Sequence, residues 1–226
     1  AAGRLGKADS GLNLLISKDL KEAKNLAQEL ELTNQERKEI QEETVAEAES
    51  IFRSKIDLQK DRVIVLASEL FHPGVIGIAA SRLVDKYHRP TVLIALEDGQ
   101  GKGSGRSISK FNLFRAFNDC GKHLVQFGGH AYAAGLTIKE DQVDEFSKAM
   151  NRVGHRYLNE EDLIPEVRLD TLVKIEEINL YLYRRLASLE PFGAENPVPC
   201  FFSQAVQLQE VKLIGKDKTH IRFRVR

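Results

Sequence analysis

Apolar positions follow two periods along the chain, a helical one over the first fifty residues and an alternation of strand-like runs and helical stretches after them. Apolar residues fall at helical spacing from Leu20 to Leu30 and again from Ala48 to Phe52. Neither Pro nor Gly interrupts the stretch, which predicts a helix. From Leu30 to Val45 this stretch is mostly charge and amide. A helix that is polar all round over several turns typically crosses solvent between two domains, so we expect a long connecting helix.

A strand–helix–strand unit is predicted next. Residues 63–67 (VIVLA) and 91–96 (TVLIAL) are short apolar runs typical of buried strands, and residues 75–87 between them have helical spacing. The two strands are therefore expected to be parallel, with a right-handed crossover. After a glycine-containing turn, residues 102–107 are expected to return as an antiparallel strand.

Further elements complete an α/β domain in which helices flank a mixed sheet. We predict a helix over 110–120, a strand over 131–138 and a helix over 143–157. Beyond this domain, a helix over 178–189 and a proline-rich linker lead to two alternating segments joined around Gly215-Lys216-Asp217. These two segments predict the opening hairpin of a small β-barrel.

Composition limits the class of protein without naming a partner. Lys plus Arg and Asp plus Glu both number 33, so a nucleic-acid partner would need a local basic patch. Two distant cysteines imply neither a disulfide framework nor a metal site, and favour a cytoplasmic location. No stretch approaches the ~20 apolar residues of a membrane span. The chain lacks an initiator Met and ends within a strand-like pattern, so we interpret it as a fragment of a longer protein.

The strongest local signal is a basic, glycine-rich stretch between Gly101 and His130. Glycines allow close backbone approach to a ligand, and hydroxyl and guanidinium donors suit a phosphate or carboxylate. The alternative is a pair of glycine-rich turns with solvated charges. Against the single Asp119, the cations of this stretch are Lys102, Arg106, Lys110, Arg115 and Lys122, and its serines are Ser104, Ser107 and Ser109.

Gly128-Gly129-His130 is the sharpest motif within that stretch. Two glycines can let the backbone turn tightly and leave the imidazole of His130 at the lip of a cleft, where it could contact a phosphate. The alternative is a structural histidine whose hydrogen bonds are satisfied inside the fold. The other histidines have no metal-ligand spacing, and neither a P-loop nor a nucleophile elbow is present. The residues alone thus predict an anion-binding α/β domain without a catalytic centre.

Four segments in this order resemble bacterial RecJ exonucleases, members of the DHH phosphoesterase superfamily. They are residues 1–6 (AAGRLG), 104–108 (SGRSI), 128–137 (GGHAYAAGLT) and 189–197 (LEPFGAENP). The glycine–histidine motif alone also occurs across the wider superfamily and in the carboxyl-terminal part of alanyl-tRNA synthetases. The four together are much more specific, and the resemblance extends along the whole chain.

The resemblance implies a single-stranded-DNA-specific 5′–3′ exonuclease acting in DNA repair and recombination. It implies the tail of a DHH catalytic domain at 1–18, a connecting helix at 19–55, a DHH-associated substrate-binding domain at 56–160, and a linker helix with the first strands of an incomplete oligonucleotide-binding (OB) barrel at 161–226. Mn²⁺ or Mg²⁺ would be held by upstream residues. We therefore expect this part to bind no metal and to be inactive alone.

Positions carried over from the resemblance give the expected site. His130 would be the catalytic residue, facing the scissile phosphate, while Ser104 and Arg106 would hold a phosphate near the 5′ end. The nucleic-acid-binding set that we predict is Arg4, Lys102, Ser104, Arg106, Ser107, Lys110, Gly128 and Gly129, with no metal ligand.

Partners and alternatives also follow from the resemblance. Single-stranded DNA is the expected substrate, a single-strand-binding protein an expected partner, and a monomer the expected state, with no membrane contact. One alternative is a phosphodiesterase of the same superfamily that acts on short oligonucleotides or cyclic dinucleotides. The other is a non-catalytic nucleic-acid-binding module. The segments after Leu189 count against the first, and the Ser104–Arg106 pair counts against the second.

Overall fold

A computed structural model describes residues 3–5, 8–215 and 217–226, and the chain divides into two compact units, Ala1–Pro165 and Glu166–Arg226. Ala1, Ala2 and Gly6 of the first glycine–arginine motif and Lys216 of the last turn lie outside the described residues. Over the described ranges, no helix is both long and apolar enough to cross a membrane.

The first unit begins with helices α1 (Asp9–Ile16) and α2 (Leu20–Lys55). The Asp19 carboxylate accepts a hydrogen bond from the Lys21 backbone N–H and caps α2, and 36 residues without Pro or Gly carry it onward. The predicted long helix is confirmed. Its polar stretch differs from the expectation, because Gln41 and Thr44 are buried rather than exposed to solvent.

The sheet of the first unit has five strands in the order β1-β2-β3-β5-β4. The strands β1 and β2 are parallel, with helix α3 (Ile76–Tyr87) between them in the chain, and the other pairs are antiparallel, as predicted for the first three strands. The strand bounds are Ile64–Ser68 for β1, Thr91–Glu97 for β2, Gln100–Arg106 for β3, Leu124–Gly129 for β4 and Ala133–Lys139 for β5.

The β4–β5 hairpin corrects the sequence prediction of a single strand over 131–138. Strand β4 was missed because a register shift between Leu124 and Gln126 and two terminal glycines break its alternation. Gly128 and Gly129 are consequently strand residues, and the turn holds residues 130–132. Helix α4 (Leu113–Asp119) begins later than predicted, because the Asn112 side chain accepts a hydrogen bond from the Arg115 N–H and caps it.

An apolar layer covers one face of this sheet, and a second apolar layer covers part of the other face. On one face, α4 and helix α5 (Val143–Tyr157) pack against Val92, Ile94 and Leu136. On the other face, the carboxyl half of α2 and helix α3 pack against Ile64 and Leu93. The second cluster includes no residue of β3, β4 or β5, so the α2–α3 layer leaves the far part of its face uncovered.

The second unit is smaller and contains short strands and an α-helix. Its elements are strands β6 (Thr171–Leu172) and β7 (Phe201–Phe202), helix α6 (Leu180–Ala187), and the antiparallel strands β8 (Leu208–Ile214) and β9 (His220–Val225). The Asn179 side chain caps α6. The predicted helix and terminal hairpin are confirmed, and the short parallel pair β6–β7 was not predicted.

Candidate nucleic-acid interface

In strand β3, polar side chains lie on one face of the sheet and glycines lie on the other. Lys102, Ser104 and Arg106 alternate with glycines and point away from the α4–α5 layer. A Cβ atom on Gly103 would lie 2.7 Å from Leu136 Cδ1, and one on Gly105 would lie 2.5 Å from Leu113 Cδ2. The glycines of β3 therefore make room for the core, and our expectation that they admit a ligand was wrong for this strand.

The Arg106 guanidinium rests on the first turn of α3. Its Nη1 donates to Ser104 Oγ at 3.1 Å and to the Gly105 carbonyl at 2.8 Å. A Cβ atom on Gly77 would lie 2.7 Å from Arg106 Nη2 and 3.0 Å from Ser104 Oγ. Glycine at position 77 thus lets the helix approach both side chains, which the sequence did not reveal.

Arg4 reaches the same place from the start of the chain. Its carbonyl occupies the space that a side chain on Gly74 would need, just before α3. Burial lowers the pKa of the Arg106 guanidinium, and the positive charge of Arg4 lowers it further. His72 Nδ1 accepts a hydrogen bond from the Gly74 N–H at 3.0 Å and shapes this entry to the helix.

This pair of guanidinium groups lacks an acidic partner. Among the described residues, no carboxylate lies within 4.0 Å of the charged atoms of Arg4 or Arg106. The half-buried Arg106 and the exposed Arg4 repel each other and favour a nearby anion, and the amino end of α3 adds a partial positive charge. The geometry therefore suits a phosphate group beside Ser104.

His130 lies in the turn between β4 and β5, which contacts the segment after β3. The His130 N–H donates to the Ala133 carbonyl at 2.8 Å and closes the turn. The Ser107 N–H donates to the Tyr132 carbonyl at 3.1 Å, and the Leu113 N–H donates to the Ala131 carbonyl at 2.9 Å. The side chain of His130 is exposed, and that of Tyr132 is 59% exposed.

The two glycines before His130 differ in their surroundings. Gly129 has φ +138°, and a Cβ on it would lie 2.5 Å from the Ala133 carbonyl oxygen, so only glycine fits. A Cβ on Gly128 would meet no atom within 4 Å. Gly128 pairs with Gly135, and Gly135 pairs with Ser104. Paired residues share a face, so Gly128 belongs to the exposed face of Ser104 and Arg106.

We call this exposed face the polar sheet face; it comprises Lys102, Ser104, Arg106, Gly128, Gly135 and Thr137. Three other basic-stretch residues lie elsewhere. The Ser107 hydroxyl donates to the Phe111 carbonyl at 2.7 Å and stabilises a loop, on which Lys110 is exposed. The Arg115 guanidinium lies 4.6 Å from the ring centroid of Tyr157 of α5, in the layer that covers the opposite face.

Side chains of the kind that bind metal ions do not cluster in the described part of the chain. No group of three or more His, Cys, Asp or Glu side chains there is positioned to hold a metal ion. The described residues therefore do not fit a resident metal centre.

Family models match both units. The DHHA1 domain model matches residues 60–155, and the RecJ OB domain model matches residues 169–226. Proteins named single-stranded-DNA-specific exonuclease RecJ are 37% identical in Bacillus subtilis and 34% identical in Haemophilus influenzae, over 100% and 99% of this chain. The chain spans 29% and 40% of those relatives.

A solved structure agrees with these relatives. The crystal structure of RecJ in complex with Mn²⁺ from Thermus thermophilus matches 98% of this chain at a TM-score of 0.82 and 31% identity. The match covers 32% of that protein.

Proposed function

Because the chain joins a DHHA1 domain to a RecJ OB domain and so belongs to the RecJ family, we propose that it holds the 5′ end of single-stranded DNA. The whole protein would be a single-strand-specific 5′–3′ exonuclease that acts in DNA repair and recombination. The observation that carries this proposal is the Arg106 guanidinium beside Ser104 and the first turn of α3. Arg4 approaches the entry to that helix, and among the described residues no carboxylate lies within 4.0 Å of either guanidinium.

The 5′-phosphate is the ligand that suits this pair best. A terminal phosphate monoester carries close to two negative charges, whereas an internal diester carries one, and two guanidinium groups match the larger charge. Arg106 offers a planar fork for two oxygens, and the Ser104 hydroxyl can rotate to donate a third hydrogen bond.

The rest of the strand would follow the polar sheet face. Gly128 leaves room for the sugar–phosphate backbone to approach the sheet, and Lys102 supplies a further positive charge. Lys110 and Ser107 flank this path from the loop after β3. In this arrangement His130, at the edge of the face, donates a hydrogen bond to the scissile phosphate and stabilises charge that develops during attack.

Cleavage itself requires a metal that the described residues do not hold. Related proteins have been crystallised with Mg²⁺ or Mn²⁺. We propose that such ions are bound elsewhere in the full-length protein, where they would activate water and stabilise the leaving oxygen. The present chain would then bind DNA without cutting it.

Organisation and partners complete the proposal. We assign 1–18 to the tail of the catalytic domain, 19–55 to the connecting helix, 56–160 to the substrate-binding domain and 161–226 to the linker helix and OB strands. A monomer, a single-strand-binding protein as partner and a cytoplasmic location remain predictions. The RecJ OB match over 169–226 favours this function over a small-nucleotide phosphodiesterase.

Binding and cleavage can be tested together. Fluorescence anisotropy would compare a 5′-phosphorylated single strand with a duplex in the presence of Mn²⁺, and the strand length would be checked afterwards. Preferred binding of the intact single strand, weakened in Arg106→Ala and in His130→Ala, supports the proposal. Cleavage would contradict the inactive fragment, and equal affinity for the duplex would contradict the single-strand specificity.

A further inference from the structure

A cleft of about 670 Å³ opens beside the polar sheet face. It lies at the carboxyl ends of the parallel strands β1 and β2, between residues 69–73, which lead into α3, and the turn that joins β2 to β3. Its volume is typical of small-molecule sites, and ligands of open α/β sheets commonly bind at this end of the strands. No residue of this cleft except Lys102 belongs to the predicted site.

The chemistry of the cleft suits a nucleobase better than a phosphate. Its wall includes the buried Phe71 and Ala95, and Leu70 stands at the rim with 74% of its side chain exposed. Carboxylates at the mouth would repel a phosphate, whereas they can accept hydrogen bonds from the amino groups of adenine, cytosine or guanine. The exposed Leu70 side chain also offers an apolar contact to the face of a base. These carboxylates are Glu69, Glu97 and Asp98.

Lys102 connects the cleft to the proposed phosphate site. It lines the cleft and points to the same face of β3 as Ser104 and Arg106. Two strand residues span about 7 Å, so the backbones of Lys102 and Ser104 are separated by about two nucleotide steps of a stacked strand. A nucleotide near a phosphate at Ser104 would therefore bring its base to the cleft while Lys102 contacts its phosphate.

We propose that this cleft receives one nucleobase of the DNA strand whose 5′-phosphate lies at Ser104 and Arg106. The inference rests on the proposed function and deepens it, since it gives the site a base contact in addition to its phosphate contacts. The cleft then fixes how far the strand enters, because the bound base and the bound 5′-phosphate belong to nucleotides a set number of steps apart.

Abasic substitution tests this proposal. A series of 5′-phosphorylated strands, each with one abasic nucleotide near the 5′ end, would be titrated with the 226-residue chain and with Leu70→Ala. At one position, loss of the base should weaken binding about fivefold, and Leu70→Ala should weaken binding of the intact strand by a similar factor. The two losses should not multiply when combined, because both remove the same contact.

A matched variant separates the cleft from a general surface effect. Leu32 on α2 is 66% exposed and lies outside the cleft, so Leu32→Ala should leave every affinity unchanged. The base site would be overturned if the loss from Leu70→Ala multiplied with the loss from the missing base at every abasic position. An unaltered affinity of Leu70→Ala for the intact strand would also overturn it. Failure of the proposed function has a different signature: the 5′-phosphate and Arg106→Ala would then be without effect on the intact strand, whatever residue stands at position 70.

Discussion

The same strands form both faces of the five-stranded sheet, but one face packs against the core and the other carries the polar side chains of the candidate site. On the α4–α5 face, Gly103 and Gly105 leave space that Leu136, Leu113 and their neighbours fill. On the polar sheet face, Ser104 and Arg106 alternate with those glycines, and their partly buried side chains lie against the first turn of α3. A glycine on one face thus serves packing, whereas Gly128 on the other adjoins open space. Substitution of a glycine on the α4–α5 face should therefore change the stability of the fold, whereas substitution of Gly128 should change the affinity for DNA.

The largest effect is expected at a glycine whose φ is positive and whose Cβ position is blocked by neighbouring backbone. Gly129→Ala places a methyl group against the backbone of Ala133 and Ala134 at φ +138°. We expect the free energy of unfolding to fall by about 3 kcal/mol, measured by urea denaturation. Gly128→Ala is the control and should change it by less than ~0.5 kcal/mol. Similar losses in both variants would remove the distinction between the faces.

Overpacking alone should have a smaller effect. Gly103→Ala directs a methyl group into Leu136, so unfolding should become easier by about 2 kcal/mol. The affinity of the folded molecule for DNA should stay the same, because the new atom faces away from the polar sheet face. Weaker DNA binding with unchanged stability would mean that the glycines of β3 admit the ligand after all.

A glycine on the polar sheet face should affect DNA binding and not stability. Gly128→Ala should keep its stability but bind single-stranded DNA about fivefold more weakly, a loss of about 1 kcal/mol, because the methyl group stands where the strand approaches. Anisotropy titration measures this loss. Gly121→Ala, whose Cβ would make only an ordinary 3.7 Å contact with Phe127, is the matched variant and should bind normally. Unaltered binding in Gly128→Ala would place the strand elsewhere.

The smallest effect concerns salt. Lys102→Ala should reduce the slope of log affinity against log salt by about 0.7, the value for one neutralised phosphate of a single strand. Arg115→Ala should leave the slope unchanged, since Arg115 stacks on Tyr157 in the opposite layer. Equal reductions in both variants would contradict the placement of the DNA strand on the face that carries Lys102.

Sequence patterns predicted the parts of the fold that depend on local periodicity. The apolar runs at 63–67 and 91–96 and the stripe from Val143 to Tyr157 each became the predicted element. Strand β4 could not be read in the same way, because a register shift follows Leu124 and two glycines end it. The start of α4 depended on a single side chain, the cap supplied by Asn112.

The candidate site shows a different limit. The composition around Ser104 and Arg106 indicated an anion-binding surface as a candidate. The glycines of β3 were expected to admit a ligand but pack against the core, and only the alternation of the strand shows which face they occupy. The approach of Arg4 to Arg106 joins residues about a hundred positions apart, and Gly74 and Gly77 make it possible. Such convergence depends on tertiary packing, which no local pattern records.

The most direct test of the phosphate site is a thermodynamic cycle between Arg106 and the 5′-phosphate. Affinities of the chain and of Arg106→Ala would be measured for one strand with a 5′-phosphate and with a 5′-hydroxyl, with Arg115→Ala as control. The account predicts that the chain and the control prefer the phosphorylated strand by about tenfold, or about 1.4 kcal/mol, and that Arg106→Ala has no preference. An undiminished preference in Arg106→Ala would contradict the account.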